Sequence, residues 1–215
     1  MCSHYQAVRD LELYRRRFHV YPPADPGKSD VWPGYLAPAI RRSPHLDAGD
    51  EAVPPMESFL GRFGLVPHWA KDPNVRGTFN ARSETVAAKP SFRDAWRHGQ
   101  RCIIPADAIY EPDWRSGKAV ATRITSSDGT PMGIAGLWSS WSGPEGQVLG
   151  SFTMLTINAD SHALMKNFHK PDDEKRMVVV LDEDSYDAWL ATTVARATEF
   201  MTQYPAEKLK ASTVV

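Results

Sequence analysis

Cys2 is the residue best equipped for covalent chemistry in this sequence. A small second residue permits removal of Met1, which would leave Cys2 with a free α-amine and a thiol two carbons apart. Such an amine attacks an aldehyde to form an imine, and the thiol then closes onto the imine carbon to give a five-membered thiazolidine. An unperturbed α-amine has a pKa of about 7.7–8.0 against about 10.4 for lysine, so a useful fraction is neutral near pH 7. The thiol, near pKa ~8.5, needs only modest help from a neighbouring base. Taken alone, Cys2 is merely a second residue; the chemistry needs partners from elsewhere in the chain. The only other cysteine, Cys102, sits in the apolar run Cys102-Ile103-Ile104 and reads as core.

The elements that would position Cys2 are short and mostly of β type. A short amphipathic helix is expected from Arg9 to Val20, carrying Leu11, Leu13, Tyr14 and Phe18. Residues 21–56, with Pro22-Pro23, Pro33-Gly34 and Pro54-Pro55, read as a long ordered loop. Strand-like runs follow at 59–66, 101–105, 108–110, 119–125, 132–138, 148–157 and 176–181, several of them separated by turn signals such as Ser127-Asp128-Gly129. Ser91-Phe92-Arg93-Asp94 has the pattern of a capping box, with Gly99 as terminator. A C-terminal helix pair is expected over 184–190 and 194–204. The fold class is α+β: one domain over 1–215, a mostly antiparallel, barrel-like sheet with flanking helices.

Composition narrows the function classes. Among 215 residues, 42% are hydrophobic and 24% charged, and the formal net charge is −1. That balance rules out a globally basic nucleic-acid coat but leaves room for a local basic groove. No stretch approaches the ~20 apolar residues of a membrane span, and Arg9-Asp10-Leu11-Glu12 rejects a signal peptide. A cytoplasmic protein without a disulfide framework is expected. No Cys-x-x-Cys or His-Glu-x-x-His spacing occurs, so no metal and no cofactor are expected.

Several segments, in order, resemble the SRAP family, the abasic-site processing proteins also called SOS-response-associated peptidases. They are Met1-Cys2, Leu36-Ala37-Pro38, the run from Phe63 to Trp69, the run from Phe79 to Thr85, Arg101 to Ala106, and Tyr110-Glu111. The run from Thr153 to Ala159 follows, then His169 ahead of Arg176-Met177-Val178. The resemblance implies binding of single-stranded DNA containing abasic sites, and a thiazolidine crosslink through the processed Cys2. It implies catalytic roles for Cys2, Asn80, Glu111 and His169. Asn80 would orient the Cys2 amine or the sugar, Glu111 would transfer protons with its pKa raised by partial burial, and His169 would donate to the departing ring oxygen. It also implies DNA contacts from Arg82, Trp69, Pro38, Thr156 and Arg93, with Arg42, Arg97 and Arg101 as weaker phosphate-binding candidates. The expected protein is a monomer.

The chain departs from the family pattern at three places. Ser3-His4 follows Cys2 where Gly-Arg is common, which weakens a phosphate contact from position 4. Pro112-Asp113 intervenes between Glu111 and Trp114, and residues 170–175 form an acidic insertion between His169 and Arg176 that bears on phosphate affinity. Two other readings compete. One is an N-terminal-nucleophile peptidase in which the Cys2 thiolate attacks a peptide carbonyl; the other is a single-strand-binding module that performs no chemistry.

Overall fold

A computed structural model describes residues 2–44, 46 and 53–214. Met1, whose removal the Cys2 chemistry requires, lies outside them, as do positions 45 and 47–52 of the expected loop. In chain order the described elements are β1 (Tyr5–Ala7), α1 (Leu11–Phe18), β2 (Asp30–Val31), β3 (Leu36–Arg42), β4 (Met56–Phe63), β5 (Asn80–Arg82), α2 (Arg93–Arg97) and β6 (Arg101–Asp113). Then come β7 (Val120–Ser126), β8 (Met132–Ser142), β9 (Val148–Asn158), β10 (Arg176–Val178), β11 (Val180–Leu181), α3 (Tyr186–Ala191) and β12 (Leu209–Thr213).

Five strands close on themselves. β3 pairs with β4, β4 with β9, β9 with β8, β8 with β6, and β6 returns to β3. The barrel is mixed: β4 and β5 both run parallel to β9, while the other pairings are antiparallel. β6 anchors it. Its thirteen residues contact β8 and β3 at one end and β1 and β7 at the other, so its burial is almost continuous instead of alternating. Gly136 in β8 permits this closure, because a Cβ there would fall 2.3 Å from Ile104 Cδ1 and 2.5 Å from the Thr153 carbonyl oxygen. The interior centres on Phe63, which meets Tyr5, Phe79 and Phe152 at ring centroids 5.3–6.0 Å apart.

Helix α1 forms where expected. Asp10 caps it by accepting from the Leu13 amide at 2.9 Å, and His19 ends it in the left-handed region, φ 56°. Glu12 in the first turn and Arg15, Arg16 and Arg17 in the last complement the helix dipole. Tyr14 and Phe18, four residues apart, bury its inner face.

Three local expectations are corrected. The segment 21–56 is not all loop: Leu36–Arg42 forms barrel strand β3, and Asp30–Val31 pairs with β1. Barrel closure supplies partners on both sides of β3 that outweigh its proline-rich flanks. The capping box at Ser91 does not form; α2 begins at Arg93 with no side-chain cap. The expected helix over 194–204 is reduced to one 3-10 turn, Ala197–Phe200. The chain then continues into β12, which extends the sheet against β7.

Candidate active site

Cys2 lies just ahead of β1, the strand that pairs with the second half of β6. The register places Tyr5 opposite Ile109 and continues through a 3.0 Å bond from the Tyr110 amide to the His4 carbonyl. That pairing carries Cys2 toward Glu111. From a third direction, Asn80 at the start of β5 donates through Nδ2 to the Cys2 carbonyl at 2.6 Å. From a fourth, the His169 amide bonds the Pro112 carbonyl at 2.9 Å, and the His169 ring sets Nε2 3.5 Å from Glu111 Oε2. The four residues implied as catalytic therefore meet, and each is less than a tenth exposed.

Burial dictates their electrostatics. It raises the Glu111 carboxyl to about 7 and lowers the His169 imidazole to about 4. Their 3.5 Å approach has the distance of an ion pair, yet between those two pH values both groups are neutral, so it is a polar contact between uncharged partners. Burial, with the nearby Glu111 charge, pushes the Cys2 thiol well above its ordinary value; its sulfur lies 3.4 Å from the His4 carbonyl, to which it donates. Asn80 Oδ1 is buried with no hydrogen-bond partner among the described residues. His169 adopts φ 65°, a left-handed conformation that costs a non-glycine residue about 1–2 kcal/mol. Strain of this kind is held where surrounding contacts over-determine a residue, commonly at functional sites.

The residues implied as DNA contacts divide. Trp69 is 51% exposed, as a stacking surface requires. Arg93 is exposed beside Asp94, and Arg42 and Arg97 are exposed. Arg82, half exposed, pairs through Nη1 with Glu174 Oε2 at 2.8 Å, so the acidic insertion already occupies it. The same Glu174 binds Arg176, which is buried and also forks onto Glu84.

Three of the implied contacts are buried. Pro38 is enclosed within β3, and Thr156 is 1% exposed with its hydroxyl against the Arg176 guanidinium at 3.2 Å. Neither side chain offers a strand any surface. Arg101 is 1% exposed, its guanidinium 4.3 Å from the Trp96 ring centre and 5.3 Å from that of Trp189. Desolvation lowers it to about 10. It is a buried cation held against two tryptophan rings.

One feature of the site escaped sequence reasoning. His4 stands between Trp32 and Tyr110, each ring 4.1 Å away and 12° from parallel, with Nε2 3.1 Å from Asp30. Trp32, on the outer side, is 45% exposed. The aromatic stack fills the place where a position-4 phosphate contact was doubtful. No spacing rule links residues 4, 32 and 110; only the β2–β1–β6 pairing does.

The family model described as SOS response associated peptidase (SRAP) matches residues 1–215. Abasic site processing protein YoqW of Bacillus subtilis (strain 168) is 37% identical over 131 residues, covering 60% of this chain and 55% of its own length. Abasic site processing protein HMCES of Mus musculus is 28% identical over 175 residues, covering 67% of this chain and 46% of its own. The chain thus spans about half the length of the curated relatives it matches. A crystal structure of a Bordetella bronchiseptica protein, 45% identical and fully covered on both sides, superposes with a TM-score of 0.91. One from Bacteroides thetaiotaomicron, at 20% identity and a TM-score of 0.82, shares the fold.

Proposed function

The chain belongs to the SOS response associated peptidase (SRAP) family, and on that premise we propose that it captures abasic sites in single-stranded DNA through a thiazolidine formed by Cys2. The observation that carries this reading is the convergence of Asn80, Glu111 and His169 on Cys2.

With Met1 removed, the Cys2 α-amine adds to the open-chain sugar aldehyde, and loss of one water leaves the imine. The thiol then bonds to the imine carbon, and its proton passes to a basic group while the nitrogen gains one. Asn80 holds the Cys2 backbone through its Nδ2 donor and has an unpartnered Oδ1 left to accept from the amine. Glu111, near 7, gives and takes protons with little bias at neutral pH. His169, neutral there, accepts or relays a proton beside it. Ring closure protects the strand, because an imine left open invites β-elimination.

Intact mass after incubation with an abasic single-stranded oligonucleotide tests the reading. The expected product is the chain without Met1, plus the oligonucleotide, minus one water. A processed chain that gains no covalent mass overturns it.

Because Glu174 competes with a phosphate for Arg82, Glu174→Gln is expected to tighten binding of an intact single strand about two- to fivefold, the range of an exposed ion pair. Anisotropy titration measures this, and unchanged affinity at low salt would remove Arg82 from the proposed DNA path.

A further inference from the structure

Between the turn that follows β4 and the approach to β5 lies a groove of about 250 Å³, lined in part by Pro33, Arg62, Gly64, Arg76, Gly77 and Thr78. One of its polar groups lacks the partner that a purely structural role would give it. The Thr78 hydroxyl is buried, the residue being 5% exposed, and has no hydrogen-bond partner among the described residues. A buried hydroxyl is normally satisfied, so this one is poised for an absent acceptor. The Arg62 guanidinium donates to the carbonyls of Gly64 at 2.8 Å and Val75 at 3.4 Å, but it has no carboxylate partner among the described residues. Gly64 separates the two groups. At φ 113° it carries no side chain, and a Cβ built there would lie 3.1 Å from Arg62 Nη1 and 3.6 Å from Thr78 Oγ1. The glycine therefore lies against both donors, and a side chain there would crowd the Arg62 guanidinium. Arg76 is an exposed cation on the rim, and Gly77, φ 71°, leaves the backbone beside it uncovered.

We propose that Arg62, Arg76 and Thr78 form a phosphate subsite that takes a backbone phosphate of the strand whose lesion reaches Cys2. Two guanidinium groups and a hydroxyl, all donors with no acid among them, match a tetrahedral oxyanion. The groove is also close enough to the reacting centre. Thr78 precedes Asn80 by two residues, so their Cα atoms are at most about 7 Å apart. On the other wall, Pro33 follows Trp32, the outer ring of the stack on His4. This proposal rests on the reading that a strand approaches Cys2, and it adds where one of the strand's phosphates is held.

Arg62 also ties down the chain, so the test uses Thr78→Val and Arg76→Gln. Thr78→Val keeps the side-chain shape and removes only an unpartnered hydroxyl; its melting temperature should equal or exceed that of the wild type. Binding of an unmodified single-stranded oligonucleotide, which cannot crosslink, is followed by anisotropy across a salt series. Thr78→Val should weaken binding about threefold or more. Arg76→Gln should weaken it and make the slope of log K against log salt shallower by about 0.7, the value for one phosphate contact on a single strand. Inorganic phosphate should compete with the oligonucleotide more strongly in the wild type than in the double variant. Unchanged affinity and slope in both single variants overturn the proposal, even if inorganic phosphate binds in the groove, since the anion would then be a free one and not the strand's. Adduct formation on an abasic strand is scored separately. Its absence in the wild type removes the Cys2 reading, whereas normal adducts with unchanged variant affinities remove only the phosphate subsite.

Discussion

Replacing Cys2 by alanine should abolish the stable adduct with abasic single-stranded DNA, while Cys2→Ser should keep an imine that borohydride traps. The two variants separate the amine from the thiol. Both retain an N-terminal amine after Met1 removal, and both retain the carbonyl that Asn80 holds at 2.6 Å, so the imine-forming atom stays in place. What they lose is the sulfur that closes the ring. An oxygen in its place is a far poorer nucleophile at neutral pH and gives a less durable ring. Heat and denaturant should therefore leave wild-type adduct intact and strip the serine variant unless it has been reduced. The buried position adds a control. Cys2 is 1% exposed within the core, so serine places a hydroxyl, and alanine a small void, in a tight site. Unfolding curves must show both variants folded at the assay temperature. A stable, unreduced adduct on Cys2→Ala would place the covalent bond on another nucleophile and sink the mechanism.

The longer strands after residue 56 were legible in the sequence because runs such as Val148–Asn158 are apolar, β-branched and fenced by turns, whereas the short β5 and the edge strand β12 were not. β3 was not, because its strand character depends on two neighbours supplied by barrel closure, and Pro22, Pro33 and Pro54 around it dominate the local signal. Parallel pairing of β4 and β5 with β9 leaves no mark in local sequence. At the site, residue types were visible but their use was not. Cys2 advertises its chemistry by position alone; its meeting with Asn80, Glu111 and His169, 78 to 167 residues away, depends on tertiary pairing. Charge did not reveal the burial of Arg101, where the two tryptophans that enclose the guanidinium lie 5 and 88 residues off. At 170–175 the acidic run was visible in the sequence, but the ion pair of Glu174 with Arg82 depends on tertiary packing.

Glu111→Gln should slow crosslink formation about a hundred- to a thousandfold and, above neutral pH, make the folded protein more stable. The rate effect follows from losing a positioned proton-transfer group while keeping its shape and its contact with His169. Where the carboxylate acts as base, the wild-type rate should climb as pH rises through about 7 and then level off, an inflexion the glutamine variant lacks. The stability effect has the opposite sign. Burial raises the folded-state pKa of Glu111 from 4.5 to about 7, so the folded chain prefers the proton. That preference stabilises the fold fully below about 4.5 and is lost as pH rises through 7, because a charge must then be held in a buried site. Glutamine carries no such charge. At pH 8 the variant should be more stable, by at most about 3 kcal/mol from the size of the shift, and at pH 4 the two proteins should converge. His169 works the other way: kept neutral by burial, it stabilises the fold above about 6.5, a contribution lost as pH falls through about 4. It is present in both proteins and cancels in the comparison. A site that trades stability for reactivity gives this paired signature of slower chemistry with a higher melting point. Thermal melts at pH 4, 6 and 8, beside single-turnover crosslinking at pH 6 and 8, measure both arms. Wild-type rates in Glu111→Gln would remove the carboxylate from the reaction, and a lower melting point at pH 8 would show that the buried charge is compensated within the fold.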